Sequence, residues 1–196
     1  MKKIKIPVEV SARHFHPCQK DLEKLFGKNF QLTKKKDLSQ HGQFAAEEEV
    51  VAVSDPRYKF RVVGPVRPES QVELALTDTI RLHIEAPIVL SGDLKKLKPQ
   101  LAIKGPCGKI KVKAIVAKRH LHCLRSEAKE LGLKKGQLVK VEIIGPRGLI
   151  FDNVVVRPGD KYSLSCHLDT DEANACGLGK VCGYGFLITQ NSNVKS

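Results

Sequence analysis

Tryptophan is absent from this 196-residue chain, methionine occurs once, and aromatic residues make up only 5%. Scarce aromatics remove the usual stacking platform for single-stranded nucleic acid, and no recognition-helix or zinc-finger spacing is present, so no nucleic acid is expected as a partner. No apolar run approaches the roughly 20 residues that a helical membrane span needs, so no membrane is expected either. The N-terminal Met1-Lys2-Lys3-Ile4 is charged but runs directly into a strand pattern, which does not read as a signal peptide; a cytoplasmic chain is expected. Six cysteines are scattered without disulfide-scaffold spacing and should remain thiols in a reducing compartment. What the chain has in excess is positive charge, 34 basic against 21 acidic residues for a net +13, which calls for an anionic partner.

The informative feature is a repeat. Val8-Glu9-Val10-Ser11-Ala12-Arg13-His14-Phe15-His16 returns as Ile115-Val116-Ala117-Lys118-Arg119-His120-Leu121-His122. Histidines two residues apart diverge on a helix but share one face of a strand, where they can converge on a single ion. Ile4, Ile6, Val8 and Val10 alternate in step with His14 and His16, and Ile110, Val112, Ala114 and Val116 with His120 and His122. In each copy the spacing therefore predicts an apolar inward face that turns into an imidazole pair. A short helix follows each pair, Pro17 to Phe26 ended by Gly27, and one capped by Ser126 and ended by Gly132.

Between and after these copies, Lys36 to Gln43 reads as a polar loop. Short runs rich in β-branched residues follow: 44–53, 60–63, 71–76, 80–84, 101–104, 110–117, 138–144, 149–156 and 162–167. Gly105-Pro106-Cys107-Gly108 and Gly145-Pro146-Arg147-Gly148 read as hairpin turns. Asp169 with Glu172 predicts a capped helix, Tyr184 to Ile188 a last strand, and Thr189 to Ser196 a frayed tail. The fold class expected is mainly β, two small β-barrels capped by short α-helices, with an internal duplication.

A catalytic zinc takes three protein ligands and keeps one position open, so each pair needs a third donor. His167 lies in the same half as His120 and His122 and completes a three-histidine set. For His14 and His16 the acidic candidates are Glu47, Glu48, Glu49 and Glu73, among which spacing does not choose. Cys123 and Cys166 adjoin histidines in strands and should point to the opposite face. Cys18 is disfavoured by the intervening Pro17. His41 and His83 lack any such context and read as ordinary polar residues.

Several segments together resemble the phosphate propanoyltransferase family: Ser11 to His16, Lys36 to Gln40 with Gly42 to Glu48, Gly64-Pro65-Val66-Arg67, Ser91-Gly92-Asp93, Ala117 to His122, Gly148 to Val154, and His167 to Ala175. The similarity runs in order from residue 4 to about residue 180. It implies two barrels, 13–117 and 118–188 joined by the strand of residues 3–12, with a pair of zinc ions between them. Carried over by position, His14, His16 and Glu73 would hold one Zn²⁺ and His120, His122 and His167 the other. Arg67 would bind phosphate and serve catalysis, and Ser11, Lys36, Arg61 and Asn174 would lie along coenzyme A.

The reaction implied is acyl-CoA plus phosphate to acyl phosphate plus CoA, with the His14 centre taking the sulfur and the second zinc joining Arg67 on phosphate. A homodimer is compatible with the resemblance. His41 stands where the family pattern has proline, and the amphipathic N-terminal extension that leads some members into microcompartments is not seen. From the residues alone, a binuclear zinc hydrolase acting on a phosphorylated substrate and a zinc-stabilised binding module are the competing readings.

Overall fold

A computed structural model describes residues 2–179 and 182–189. The chain divides into two compact units, Met1–Ala12 with Lys118–Ser196, and Arg13–Ala117. Each is built on a closed six-strand barrel.

The barrel of the second unit uses β2 (His14–His16), β4 (Phe44–Ala52), β5 (Lys59–Gly64), β6 (Gln71–Leu74), β8 (Leu101–Lys104) and β9 (Lys109–Ala117). β8 pairs with both β4 and β9 and so closes the ring, while β3 (Lys34–Asp37) and β7 (Ile88–Val89) flank it. The barrel of the first unit runs β1 (Lys2–Ser11), β13 (Ser165–Asp169), β10 (His120–Leu124), β12 (Leu149–Gly159), β11 (Leu138–Ile143) and β14 (Gly183–Thr189). Short helices follow the histidine strands, α1 (Gln19–Phe26) and α3 (Arg125–Glu130). Two more follow their antiparallel neighbours, α2 (Leu76–Leu82) and α4 (Thr170–Ala175).

The duplication is visible strand by strand. In each barrel the histidine strand lies parallel to one neighbour, β5 or β12, and antiparallel to the other, β6 or β13. That second neighbour is parallel to a long apolar strand, β9 or β1. β1 precedes the first histidine pair in sequence but is hydrogen-bonded into the barrel of the second, and β9 stands in the converse position.

The apolar strands face inward as expected, but this crossing of the chain separates that face from the histidine pair that follows it in sequence. Ile6 and Val8 fill the core of one barrel, and Ile110, Val112 and Ala114 that of the other. The residue between the histidines is what points inward: Phe15 is fully buried in one core, and Leu121 with Cys123 in the other. By strand alternation His14, His16, His120 and His122 stand on the outer face of their barrel walls. The break at Ala12–Arg13 resets the phase that the alternation of the sequence carried through.

Other readings also shift. Residues 80–84 form no strand; Leu76–Leu82 is helix, started where Asp78 Oδ2 accepts from Ala75 N–H at 3.2 Å, a cap that outweighs the β-branched Thr77, Thr79 and Ile80. Part of the predicted polar loop is strand β3, paired to β4. Ser126 does not cap α3; Glu127 reaches back to the Leu124 N–H instead. β13 begins at Ser165, not at Tyr162. The Asp169–Glu172 capping box and both proline hairpins form as expected. Of the predicted tail only Thr189 lies within the described residues, as the end of β14.

Phe15 gives a test of this packing. Phe15→Ala deletes a fully buried ring without touching either neighbouring imidazole, and should cost about 3–5 kcal/mol of unfolding free energy, read by urea denaturation.

Candidate functional site

On the wall of the 13–117 barrel, register sets His14 opposite Glu73 and His16 opposite Gln71. His14 Nε2 and His16 Nε2 approach to 2.9 Å with their rings at 88°, and Glu73 oxygens lie 3.8 and 3.7 Å from them. The other barrel repeats the plan: His120 faces His167, His122 faces Ser165, and the Nε2 atoms of His120 and His122 are 3.1 Å apart with rings at 82°. Each triad gathers one donor atom per residue within 4.8 Å, and among the described residues these are the two groupings of this kind. Glu73 and His167 thus hold equivalent places, opposite the first histidine of each pair. No cysteine joins either group. Glu47 and Glu49 instead pair with Lys35 and Lys59 on the surface, and Glu48 accepts from the Thr33 N–H.

Hydrogen bonds on the far side of the rings fix which nitrogen is free. His16 Nδ1 faces the Val63 carbonyl at 3.1 Å and His120 Nδ1 the Lys118 carbonyl at 2.8 Å, so each donates there, which in a neutral ring leaves the lone pair on Nε2. Burial holds His16 well below the ordinary imidazole range, with His14 and Arg67 acting in the same direction. Burial, then His120 and His167, lower His122 to about 2. For Glu73, burial pushes upward but is outweighed by His14, His16, Ser91 and Arg67, leaving it near 2. Imidazole nitrogens brought this close together, with His16 and His122 kept neutral by burial and one set joined by a carboxylate, could hold a tetrahedral divalent ion with an open position, and zinc suits such donors. Burial also raises the Cys123 and Cys166 thiols, which keeps them protonated in the core and away from ligation.

A polar network ties the first triad to Arg67. Glu73 Oε1 accepts from Gln71 Nε2 at 2.6 Å and from the Ser91 hydroxyl at 2.5 Å. Ser91 Oγ in turn accepts from Gln71 Nε2 at 2.8 Å and from Arg67 Nη1 at 3.0 Å, and the Gly92 N–H donates to Gln71 Oε1. Arg67, half-buried, is also held through its backbone N–H to the Pro17 carbonyl. Through Ser91 the network joins Arg67 to the Glu73 triad. The second barrel has a simpler counterpart, Ser165 Oγ at 2.9 Å from His167 Nε2. Sequence reading missed Gln71 and Ser165 as supports, although they sit two residues before Glu73 and His167 and therefore on the same face of the strand.

Of the other residues singled out, Arg61 lies opposite His14 on β5, and its buried Nε has no partner among the described residues. Lys36 is exposed on β3, Ser11 ends β1 opposite Asp169, and Asn174 is exposed on α4.

The depressed groups set a pH response. For His16 and His122 the folded pKa lies below the unfolded value of 6.5, so the folded state binds fewer protons, and their contribution is present above that value and lost as pH falls. Glu73 adds a loss below 4.5. Metal-free protein should accordingly melt at lower temperature at pH 5.5 than at pH 7.5, and bound ion should be released over the same interval by proton competition. An unchanged melting temperature across that range would contradict the assignment of His16 and His122 as buried neutral imidazoles.

Residues 7–179 match the family model described as phosphate propanoyltransferase. Proteins named phosphate propanoyltransferase are similar along nearly the whole chain. That of Lachnoclostridium phytofermentans is 44% identical, covering 91% of this chain and 84% of its own length. That of Thermotoga maritima is 46% identical with 88% and 84% covered, and that of Clostridioides difficile 41% identical with 89% and 85% covered.

Proposed function

Because the chain belongs to the phosphate propanoyltransferase family and is an acyltransferase, we propose that it interconverts a short-chain acyl-CoA plus phosphate with the acyl phosphate plus CoA, using a zinc ion at each histidine triad. The observation that carries the metal reading is the twice-built set of converging donors, His14, His16 and Glu73, and His120, His122 and His167. Bound there, divalent ions would supply a Lewis acid for oxygen and a soft acceptor that lowers the pKa of a thiol.

The remaining work falls to the protein. Arg67 presents a planar fork suited to a phosphate, and its bond to Ser91 holds that fork in line with the Glu73 carboxylate. Gln71 and Ser91 occupy Glu73 Oε1, which leaves Oε2 facing His14. Arg61, whose Nε has no partner among the described residues and which shares a strand face with His14, is assigned with Lys36, Ser11 and Asn174 to the phosphates and polar groups of coenzyme A. The net +13 charge suits so anionic a substrate. With the core cysteines kept protonated, direct attack of phosphate on the thioester needs no acyl-enzyme. The thioester C–S bond breaks as the C–O bond to phosphate forms, and CoA leaves as the thiolate.

The family match favours transfer over the hydrolase reading. Release of free thiol from an acyl-CoA by zinc-loaded protein, with and without inorganic phosphate, tests the proposal. Release that requires phosphate and yields one acyl phosphate per thiol is expected. Equal release without phosphate would mean hydrolysis, and none at all would leave only a binding module.

A further inference from the structure

The arginine that precedes each histidine pair has no part in the chemistry above, yet it is built into the same contact twice. Arg13 Nη1 donates to Asp78 Oδ1 at 2.5 Å, with its guanidinium 4.9 Å from the Tyr58 ring centre. Arg119 Nε donates to Glu172 Oε1 at 2.6 Å, its Nη1 to the Asp152 carbonyl at 3.2 Å, and it lies 5.2 Å from the centre of the Phe151 ring. Asp78 and Glu172 are the third residues of α2 and α4, the helices that start just past the strands bearing Glu73 and His167. Each carboxylate gives its second oxygen to a backbone N–H at the helix start, Ala75 at 3.2 Å and Asp169 at 3.1 Å.

The position of these pairs gives them a consequence. β2 starts at His14 and β10 at His120, so the rungs His14–Glu73 and His120–His167 are the last of their antiparallel ladders. End rungs open more readily than interior ones. In each barrel the ion pair lies beyond that end rung and binds the residue before the first ligand to the helix that follows the third. We propose that Arg13–Asp78 and Arg119–Glu172 are clamps that hold the ligand-bearing strand ends together, each setting the metal affinity of its own centre alone. Arg13, Arg119, Asp78 and Glu172 are then positioning residues. The proposal rests on the metal reading given above.

Zinc alone is the probe, titrated against a chromophoric chelator. A His14→Ala background isolates the His120 centre, and a His120→Ala background the Glu73 centre. Glu172→Ala should weaken zinc binding by roughly 10–100-fold in the first background, the range for lost outer contacts to a metal ligand, and leave the second unchanged. Asp78→Ala should do the converse. Arg119→Gln opens the clamp but leaves the Glu172 cap on α4, and should reproduce the selective loss, while Glu172→Asp and Asp78→Glu, which exchange the two barrels' own carboxylates, should restore most of it. A loss shared by both centres and following the melting temperature, or no loss with Arg119→Gln, would overturn the clamps. Failure of zinc to bind in either parent background would overturn the metal reading instead.

Discussion

His120→Ala is expected to lower phosphate-dependent turnover by about 10³-fold, because a metal centre contributes several kcal/mol of charge stabilisation and each 1.4 kcal/mol is a factor of ten. The same substitution should take the bound metal from about two ions per chain to about one, since it removes one of three donors from one triad only. His120 stands on the outer face of its wall while Leu121 and Cys123 fill the core, so the apolar packing of the barrel is left in place. Loss of both ions would contradict two independently filled triads, and retention of both with full turnover would separate the site from the activity. Parallel elemental analysis and rate measurements on one preparation read both quantities.

Arg67→Lys is expected to cost roughly 10²-fold or more in turnover at a given phosphate concentration, the scale on which loss of orientation acts. Lysine keeps the charge but not the fork. Metal content should hold, because Ser91 retains its bonds to Glu73 and Gln71 when the arginine is gone. Melting temperature and the KM for acyl-CoA should also change little, since Arg67 is half-buried in a loop and coenzyme A is assigned to other residues. If Arg67→Lys lost zinc or acyl-CoA affinity while phosphate saturation stayed normal, the role given to Arg67 would be wrong even with the family membership standing.

The parts of the site that were legible in the sequence are those that depend on local periodicity. Histidines two apart share a strand face whatever the barrel around them, so His14, His16, His120 and His122 could be paired from spacing. His167 followed from being the spare imidazole of its half. Glu73 did not follow from the residues: which strand lies beside β2 is a tertiary fact, and three other glutamates had equal claim until the family resemblance selected it. The structure supplies the missing rule, because Glu73 and His167 face the first histidine of their pairs in the same register. That the histidines continue the apolar inward face was misread for a related reason. Even-numbered alternation runs unbroken from Ile4 to His16 in the sequence, but the chain leaves one barrel after Ala12, and Phe15 takes the inward place in the next. Residues 80–84 were misread as a strand because β-branched residues favour strands on average, while one carboxylate near the start of Leu76–Leu82 decides for helix. Ser91 is distant in sequence from both Arg67 and Glu73, and only the fold brings its hydroxyl to them.

Reconstitution of metal-free protein with zinc tests the central claim most directly, with phosphate-dependent thiol release followed at each addition. Two equivalent-built triads predict that turnover is absent at the start, rises with added zinc and levels off close to two ions per chain. Full turnover in the metal-free protein, or a plateau reached at a single ion, would contradict it.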